Sequence, residues 1–329
     1  MLQDPLLIND WHPVARVTDL DTHNPIGTTL LGEDIVIWRT GDAILAWQDL
    51  CVHRGTRLSI GKVEGDCLAC PYHGWTYNSA GQCVRIPAHP SDGMGRRHQP
   101  PPIKARVRTY QAKVAYGLIW VTLGQPTHDI PRFEEGHDND FRQIICGPYA
   151  INAAAPRIVE NFLDVGHFPF VHEGILGDKA HPEIAEYDAE ITAQGVVATG
   201  IRVYQPDGFG TGQGDMVTYT YKALRPLTAY LTKVTDGPTL SILLAVKPRQ
   251  PTESTAWMVM AMNYNHDAAE AELVAFQDRI FWQDGPILRS QRPELLPLDL
   301  QAELHLRSDR TAIAYRKWLN DLGLSFGTA

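Results

Sequence analysis

Cys51-Val52-His53 and Cys70-Pro71-Tyr72-His73 decide how this chain is read. Each segment sets a cysteine beside a histidine, and sixteen residues separate the two. Two thiolates and two imidazoles can hold either one zinc ion or a two-iron cluster. In the cluster, both thiolates take one iron and both imidazoles the other. The order C-x-H then C-x-x-H differs from finger-type zinc spacing, where cysteine pairs with cysteine and histidine with histidine. The residue types alone leave both a cluster and a zinc ion open. On either side of the motif the signals are short strands and tight turns. Stretches 35–38 and 43–47 flank Thr40-Gly41-Asp42, and 110–114 and 118–121 flank Tyr116-Gly117. Thr76-Tyr77 and 82–86 flank a third turn at 78–81. Such frequent turns predict a small all-β domain, with the cysteine–histidine pairs at hairpin tips where two loops close over one cluster.

The bulk properties narrow the surroundings. A chain of 329 residues suggests about two domains with real cores. Net charge is −9 with no basic run, which gives no support to nucleic-acid or anionic-membrane binding. The start, MLQDPLLINDW, has neither the basic region nor the apolar run of a secretory signal, and no stretch reaches the ~18 apolar residues of a spanning helix. Two of the five cysteines belong to the motif, leaving Cys67, Cys83 and Cys146 as reduced thiols. Cys67 makes a C-x-x-C with Cys70, but Cys70 is already used in the better motif. A cytoplasmic protein is expected. The polar stretch 124–140, GQPTHDIPRFEEGHDND, reads as a linker, giving domains 1–130 and 131–329.

The second domain opens with a helical pattern at Ile158, Phe162, Val165 and Phe168. Gly166 and Pro169 interrupt it beside His167 and His172, and such a local conflict marks a functional site. Strand-like stretches follow at 196–204, 216–221, 239–246 and 255–264, predicting an antiparallel sheet. The fold class is α+β. Trp257, Met258, Met260 and Met262 suit a strand buried on both faces better than a soft pocket wall. A last helix, with capping-box spacing from Asp267 to Glu270, carries Leu273, Phe276, Ile280 and Phe281. Asp284 falls on its apolar side, where a carboxylate is expensive unless it binds a cation or is paired. Gly285-Pro286 then breaks the pattern. Two histidines and one carboxylate leave metal positions open, the ligand set of non-haem Fe(II) oxygenases.

With His53-Arg54-Gly55 in the first loop and His73-Gly74-Trp75 in the second, the cluster motif resembles that of Rieske proteins. Thr56 and Tyr72 occupy the places where respiratory Rieske proteins carry a disulfide, so the likeness is to the ferredoxin and oxygenase branch. N-F-L-D-V-G-H-F-P-F-V-H (161–172) and W-Q-D-G-P-I-L-R-S-Q (282–291) resemble the iron segments of Rieske non-haem iron oxygenase α subunits. The run at 308–319 resembles the branch of vanillate, dicamba and caffeine demethylases and saxitoxin-type hydroxylases, the last most of all.

The resemblance implies a [2Fe–2S] cluster on Cys51, Cys70, His53 and His73, and a mononuclear Fe(II) on His167, His172 and Asp284. It puts Asn161 beside that iron. It makes Asp164 an acidic bridge between an iron histidine of its own subunit and a cluster histidine of the next, in a head-to-tail homotrimer. Electrons would come from NAD(P)H through a separate ferredoxin or flavin reductase. With O2 they would hydroxylate a small organic substrate, or demethylate it at O or N with release of formaldehyde. Two rivals stand beside this. A Rieske electron carrier with an appended binding domain requires that His167, His172 and Asp284 stay apart, and a structural zinc protein would be colourless.

Overall fold

The structure, a computed structural model, describes residues 4–89, 100–209 and 212–329. The chain divides into two units, Met1–Ile130 and Pro131–Ala329.

In the first unit, Asp4 caps a short helix, α1 (Pro5–Ile8), by accepting from the Leu7 amide at 3.1 Å. Then come β1 (His12–Arg16), β2 (Ile26–Leu30), β3 (Glu33–Thr40), β4 (Ala43–Gln48), β5 (Lys62–Glu64), β6 (Cys67–Ala69), β7 (Thr76–Asn78), β8 (Cys83–Arg85), β9 (Thr109–Ala115) and β10 (Leu118–Thr122). They form a six-stranded sheet in the order β1-β10-β9-β4-β3-β2 and a four-stranded meander β5-β6-β7-β8. The β9–β10 turn holds Tyr116 and Gly117 at φ 54° and 71°, the paired left-handed geometry that matches strand twist in a tight hairpin. Trp38 and Trp47 meet edge to face at 4.8 Å in the core. Leu58, Leu68, Tyr77, Cys51 and Cys70 are buried with them.

The second unit is built on one antiparallel sheet of β11 (Arg142–Ile151), β12 (Asp188–Thr192), β13 (Gly195–Gln205), β14 (Asp215–Arg225), β15 (Thr228–Val234), β16 (Thr239–Gln250) and β17 (Glu253–Met262). Its order is β11-β17-β16-β15-β14-β13-β12. All four stretches read as strands fall in this sheet, the last ending at Met262 rather than 264, while β11, β12 and β15 carried no clear pattern. Around it are α2 (Ala155–Leu163), α3 (Phe168–Val171), α4 (Glu270–Ser290) and α5 (Arg310–Leu322). Helix α2 lies across β14, β15 and β16, α4 against β11, and α5 against β12 and β13.

Three local expectations are corrected. The latter part of 124–140 belongs to the second unit's packing: Phe133 is fully buried, and Glu135 accepts from Tyr230 at 2.6 Å and Ser241 at 2.9 Å. Asp267 does not cap α4, whose N-cap is Ala269 with no side-chain bond. Pro286 does not end that helix either; it continues to Ser290, because buried Ile280, Phe281 and Leu288 hold both sides of the proline on one core.

The C-terminal helix secures α2 through buried charge. Arg316 meets both carboxylate oxygens of Glu160, and Arg157 reaches Glu303 at 2.8 Å. Such a network is costly to break from one side, about 3–5 kcal/mol, since the remaining charge is stranded out of water. Its role is to hold the helix that bears Asn161.

Candidate metal centres and the adjoining cavity

The two cysteine–histidine loops are copies of one turn. The Gly55 amide donates to the Cys51 carbonyl at 2.9 Å, and the Gly74 amide to the Cys70 carbonyl at 3.0 Å. Each cysteine amide donates in turn to the residue five positions on, Thr56 or Trp75, at 2.8 Å. Gly55 and Gly74 have φ of 71° and 66°, a left-handed geometry that a side chain would oppose. Cysteine and glycine therefore hold equivalent places in both loops, while the histidine falls one residue later in the second.

The consequence is an inner pair and an outer pair. Both cysteines are 2% exposed, whereas His53 is half-buried and His73 exposed. The two imidazoles sit 4.4 Å apart by ring centroid, and Trp75 stacks on His53 at 4.5 Å. All five cysteines are free thiols. Burial raises the Cys70 thiol above its usual pKa, helped by a hydrogen bond with the neighbouring Cys51 thiol. Two thiols buried side by side fit a site that a cation completes. Nδ1 of His53 is buried without a hydrogen-bond partner, so a donor atom there waits for an electrophile. The fit to an inner-thiolate, outer-imidazole cluster is good. Tyr77, not singled out from the sequence, lies with its hydroxyl 3.1 Å from Cys51 Sγ, placed to hydrogen-bond a thiolate and tune it. Strand alternation toward the core was its only sequence signal.

In the second unit the His167, His172 and Asp284 donor atoms lie within 4.8 Å of one another. Nε2 of His167 stands 3.4 Å from Asp284 Oδ1, and Nε2 of His172 stands 3.3 Å from the same oxygen. The His172 nitrogen is buried without a well-formed hydrogen bond, and Asp284 is itself buried. A carboxylate and two nitrogens held together out of water suit a cation. Asn161 donates to Asp284 Oδ1 at 3.5 Å.

The other imidazole nitrogens are fixed from behind. Asp164 Oδ2 lies 2.9 Å from His167 Nδ1, and Gln283 Oε1 lies 2.8 Å from His172 Nδ1. An acceptor at Nδ1 keeps the proton there and leaves Nε2 as the lone-pair donor. Burial opposes ionisation of Asp164, but His167 and the amides of Gly166 and His167 outweigh it and hold the pKa below the usual carboxylate value. Helix α2 ends at Leu163, and Asp164 is its extended C-cap. Asn161, Asp164 and His167 therefore do not share a helical face; a bend brings them together, and a Cβ on Gly166 would sit 3.2 Å from Asp164 Oδ1.

The triad borders a cavity of about 410 Å³. Strand register sets its walls: Tyr221, Leu231, Ile242 and Met260 are directly opposite one another across β14, β15, β16 and β17. Met258, Met260 and Met262 all line it, while Trp257 and Ala261 are buried on the strand's other face. Both readings of the methionine stretch are thus realised at once. Phe162, Phe276 and Ile280 close the space from α2 and α4.

Residues 10–111 match the Rieske [2Fe-2S] domain family, and residues 151–324 match the family described as Vanillate O-demethylase oxygenase C-terminal domain. The methylxanthine N1-demethylase NdmA of Pseudomonas putida is 33% identical over 95% of this chain and 88% of its own length. The chain is a Rieske non-haem iron oxygenase α subunit. This oxygenase also shares 30% identity with the methylxanthine N3-demethylase NdmB of the same organism, over 96% of the chain and 89% of that protein. The solved NdmA structure superposes with a TM-score of 0.81 over 96% of this chain and 91% of its own, at 30% identity. Dicamba monooxygenase, at 20% identity, shares the fold with a TM-score of 0.73. Like the rest of its family, the oxygenase uses a [2Fe–2S] cluster and a non-haem iron and draws electrons from a separate reductase. Among its described residues no helix is long and apolar enough to cross a membrane.

Gln283, like Tyr77, is a site residue that sequence reading passed over. It stands immediately before Asp284, where helical periodicity signals only a neighbour about 100° around the axis. Gln283→Leu should leave the oxygenase folded with its cluster, yet weaken its hold on the mononuclear metal about 10- to 100-fold, the usual cost of losing the group behind a ligating histidine. Titration of metal-stripped protein with Fe(II), read by calorimetry, checks this. An unchanged dissociation constant would show that Gln283 does not set the tautomer.

Proposed function

We propose that this oxygenase demethylates a flat aromatic or heteroaromatic substrate at an N- or O-methyl group. In this reading Cys51, Cys70, His53 and His73 hold the [2Fe–2S] cluster, and His167, His172 and Asp284 hold the iron. The observation that carries it is the convergence of His167 and His172 on Asp284 Oδ1, at 3.4 and 3.3 Å, beside a cavity walled by aromatic and methionine side chains. That convergence counts against an electron carrier with an appended binding domain, and the unlike depths of the thiols and imidazoles count against zinc. The names of NdmA and NdmB support a methyl-bearing heterocycle.

Iron, when bound, supplies the activation of O2 needed to attack a C–H bond. The net change is R–X–CH3 + O2 + 2e⁻ + 2H⁺ → R–X–H + HCHO + H2O. The chain's own residues do the rest. Phe162, Tyr221 and Met260 exclude water and hold the ring by dispersion. Asp164 and Gln283 keep both imidazoles oriented, and Asn161 steadies Asp284. Formaldehyde released from a panel of methylxanthines and aryl methyl ethers, with reductase and NADH, tests the reading; hydroxylated products without formaldehyde would replace it with plain hydroxylation.

We assign residues 1–130 to the Rieske domain and 131–329 to the catalytic domain, in a cytoplasmic, head-to-tail homotrimer. The family matches at 10–111 and 151–324 and the five free cysteines support this. For the trimer, the support is Asp164. It has His167 on one oxygen, yet its side chain is still 36% exposed, open to a cluster histidine of an adjacent subunit. Asp164→Asn should retain both metals and the trimer but slow reoxidation of the pre-reduced cluster, on rapid mixing with substrate and O2, at least about tenfold. The amide keeps a hydrogen bond but offers the imidazoles no negative charge. Reoxidation at the wild-type rate would rule out the bridge.

A further inference from the structure

Most of the cavity is apolar, but one corner holds a buried lysine. Lys233 on β15 is 3% exposed and lies directly across from Tyr219 on β14. Its ammonium donates to the Gly208 carbonyl and, at 3.3 Å, to Gln205 Oε1, and it sits 4.3 Å above the Phe209 ring. Gln205 is fully buried, and its Nε2 donates to the Tyr219 hydroxyl at 2.8 Å. Burial lowers the lysine to about 7, opposed by Asp207. The directions of these bonds do not depend on that value. Charged or neutral, the amine has N–H groups for both carbonyl oxygens.

The polarity then propagates. Lysine as donor fixes Gln205 Oε1 toward it, which turns the Gln205 amide N–H toward Tyr219. The Tyr219 oxygen is thereby an acceptor of that bond, and its own proton must go elsewhere. Among the described residues no acceptor takes it, although Tyr219 is 3% exposed and lines the cavity. A buried hydroxyl proton without a partner is costly, and a ligand acceptor would remove that cost. Tyr219 is also one ring away from the metal ligands, since Phe168 packs on His167 at 5.0 Å and on Tyr219 at 6.0 Å.

We propose that Lys233, Gln205 and Tyr219 form a one-way hydrogen-bond relay that makes Tyr219 a donor to the substrate. The relay selects substrates carrying a carbonyl or carboxylate oxygen at the end remote from the oxidised methyl group. Tyr219 is the residue that reads the substrate, and Lys233 is a positioning residue that sets the direction of reading. This inference rests on the cavity's being the substrate site.

The test is calorimetric binding to the oxidised holoenzyme of four matched probes. They are 4-methoxyacetophenone (neutral carbonyl), 4-methoxybenzoate (carboxylate), 4-isopropylanisole (no polar end) and 5-methoxyindole (N–H donor only). Wild type should bind at least one of the two oxygen-bearing probes at least tenfold more tightly than 4-isopropylanisole, and which one it prefers identifies the acceptor. Tyr219→Phe should abolish that preference while leaving 4-isopropylanisole binding unchanged. Lys233→Met should do more than weaken it: with Gln205 free to turn and accept from Tyr219, 5-methoxyindole should gain at least threefold. A merely structural lysine would lower all four affinities together. Equal affinities in wild type, no binding of either oxygen-bearing probe, or a preference that survives Tyr219→Phe would overturn the relay. Met260→Trp, which fills the cavity, separates the two claims. If it leaves all binding intact, the cavity is not the substrate site, and both this inference and the substrate reading above fail.

Discussion

Asp284→Ala enzyme should purify with an intact Rieske chromophore but two irons per chain instead of three, and its turnover should fall by more than about a hundredfold, beyond the usual cost of losing a group behind a ligand. Asp284 is the one anionic member of the triad, and both Nε2 atoms and the Asn161 amide are directed at its Oδ1. Removing it leaves two neutral imidazoles, which favour divalent iron far less than a set containing a carboxylate. The side chain is buried on α4, and alanine is the best helix former, so the fold should tolerate the change. Metal analysis together with the Rieske paramagnetic signal decides the outcome. Three irons per chain with normal activity would move the carboxylate role to another acid. Asp278 is a poor replacement, because it is already hydrogen-bonded to Tyr149 at 2.6 Å.

Cys70→Ala should lose the cluster altogether, with the visible colour and paramagnetic signal gone and electron uptake from the reductase abolished. The backbone bonds of the loop, Cys70 amide to Trp75 and Gly74 amide to Cys70, do not involve the thiol. The turn is therefore retained, and only the ligand is lost. Cys83, in the same core, already donates its thiol to the Arg85 carbonyl at 3.4 Å, so it is not expected to replace the missing thiolate. The mononuclear site proposed at His167, His172 and Asp284 lies in the other unit of the chain and should still bind Fe(II). A normal Rieske signal in Cys70→Ala would overturn the cluster assignment.

The relation between sequence and site differs along the chain. Chemistry carried by residue type within a few positions was legible. The C-x-H and C-x-x-H pairs expose their ligand set directly, because a loop of five residues closed by glycine is a local object. His167 and His172 were equally visible, flanked by a glycine and a proline that no ordinary helix would place there. Asp284 was legible through periodicity, since a carboxylate on an apolar helical face requires a reason. Local cues failed where packing outweighs them. Pro286 sits inside α4 because the core holds both halves of the helix, and β15 pairs on both sides despite its buried lysine.

The sequence by itself determined the fold class, the two cofactors and the reaction class, and it nominated the ligands now proposed, since these rest on residue identity and short spacing. Only the tertiary structure decided which side chains stand behind the ligands and which line the cavity. Gln283 meets His172 across 111 positions, and Arg316 reaches Glu160 across 156. Tyr219, Gln205 and Lys233 come from three strands, and their order as donor and acceptor follows from register and reach. Contacts that distant in sequence have no local signature, because their free energy comes from burial and pairing that exist only once the sheet has closed over the core.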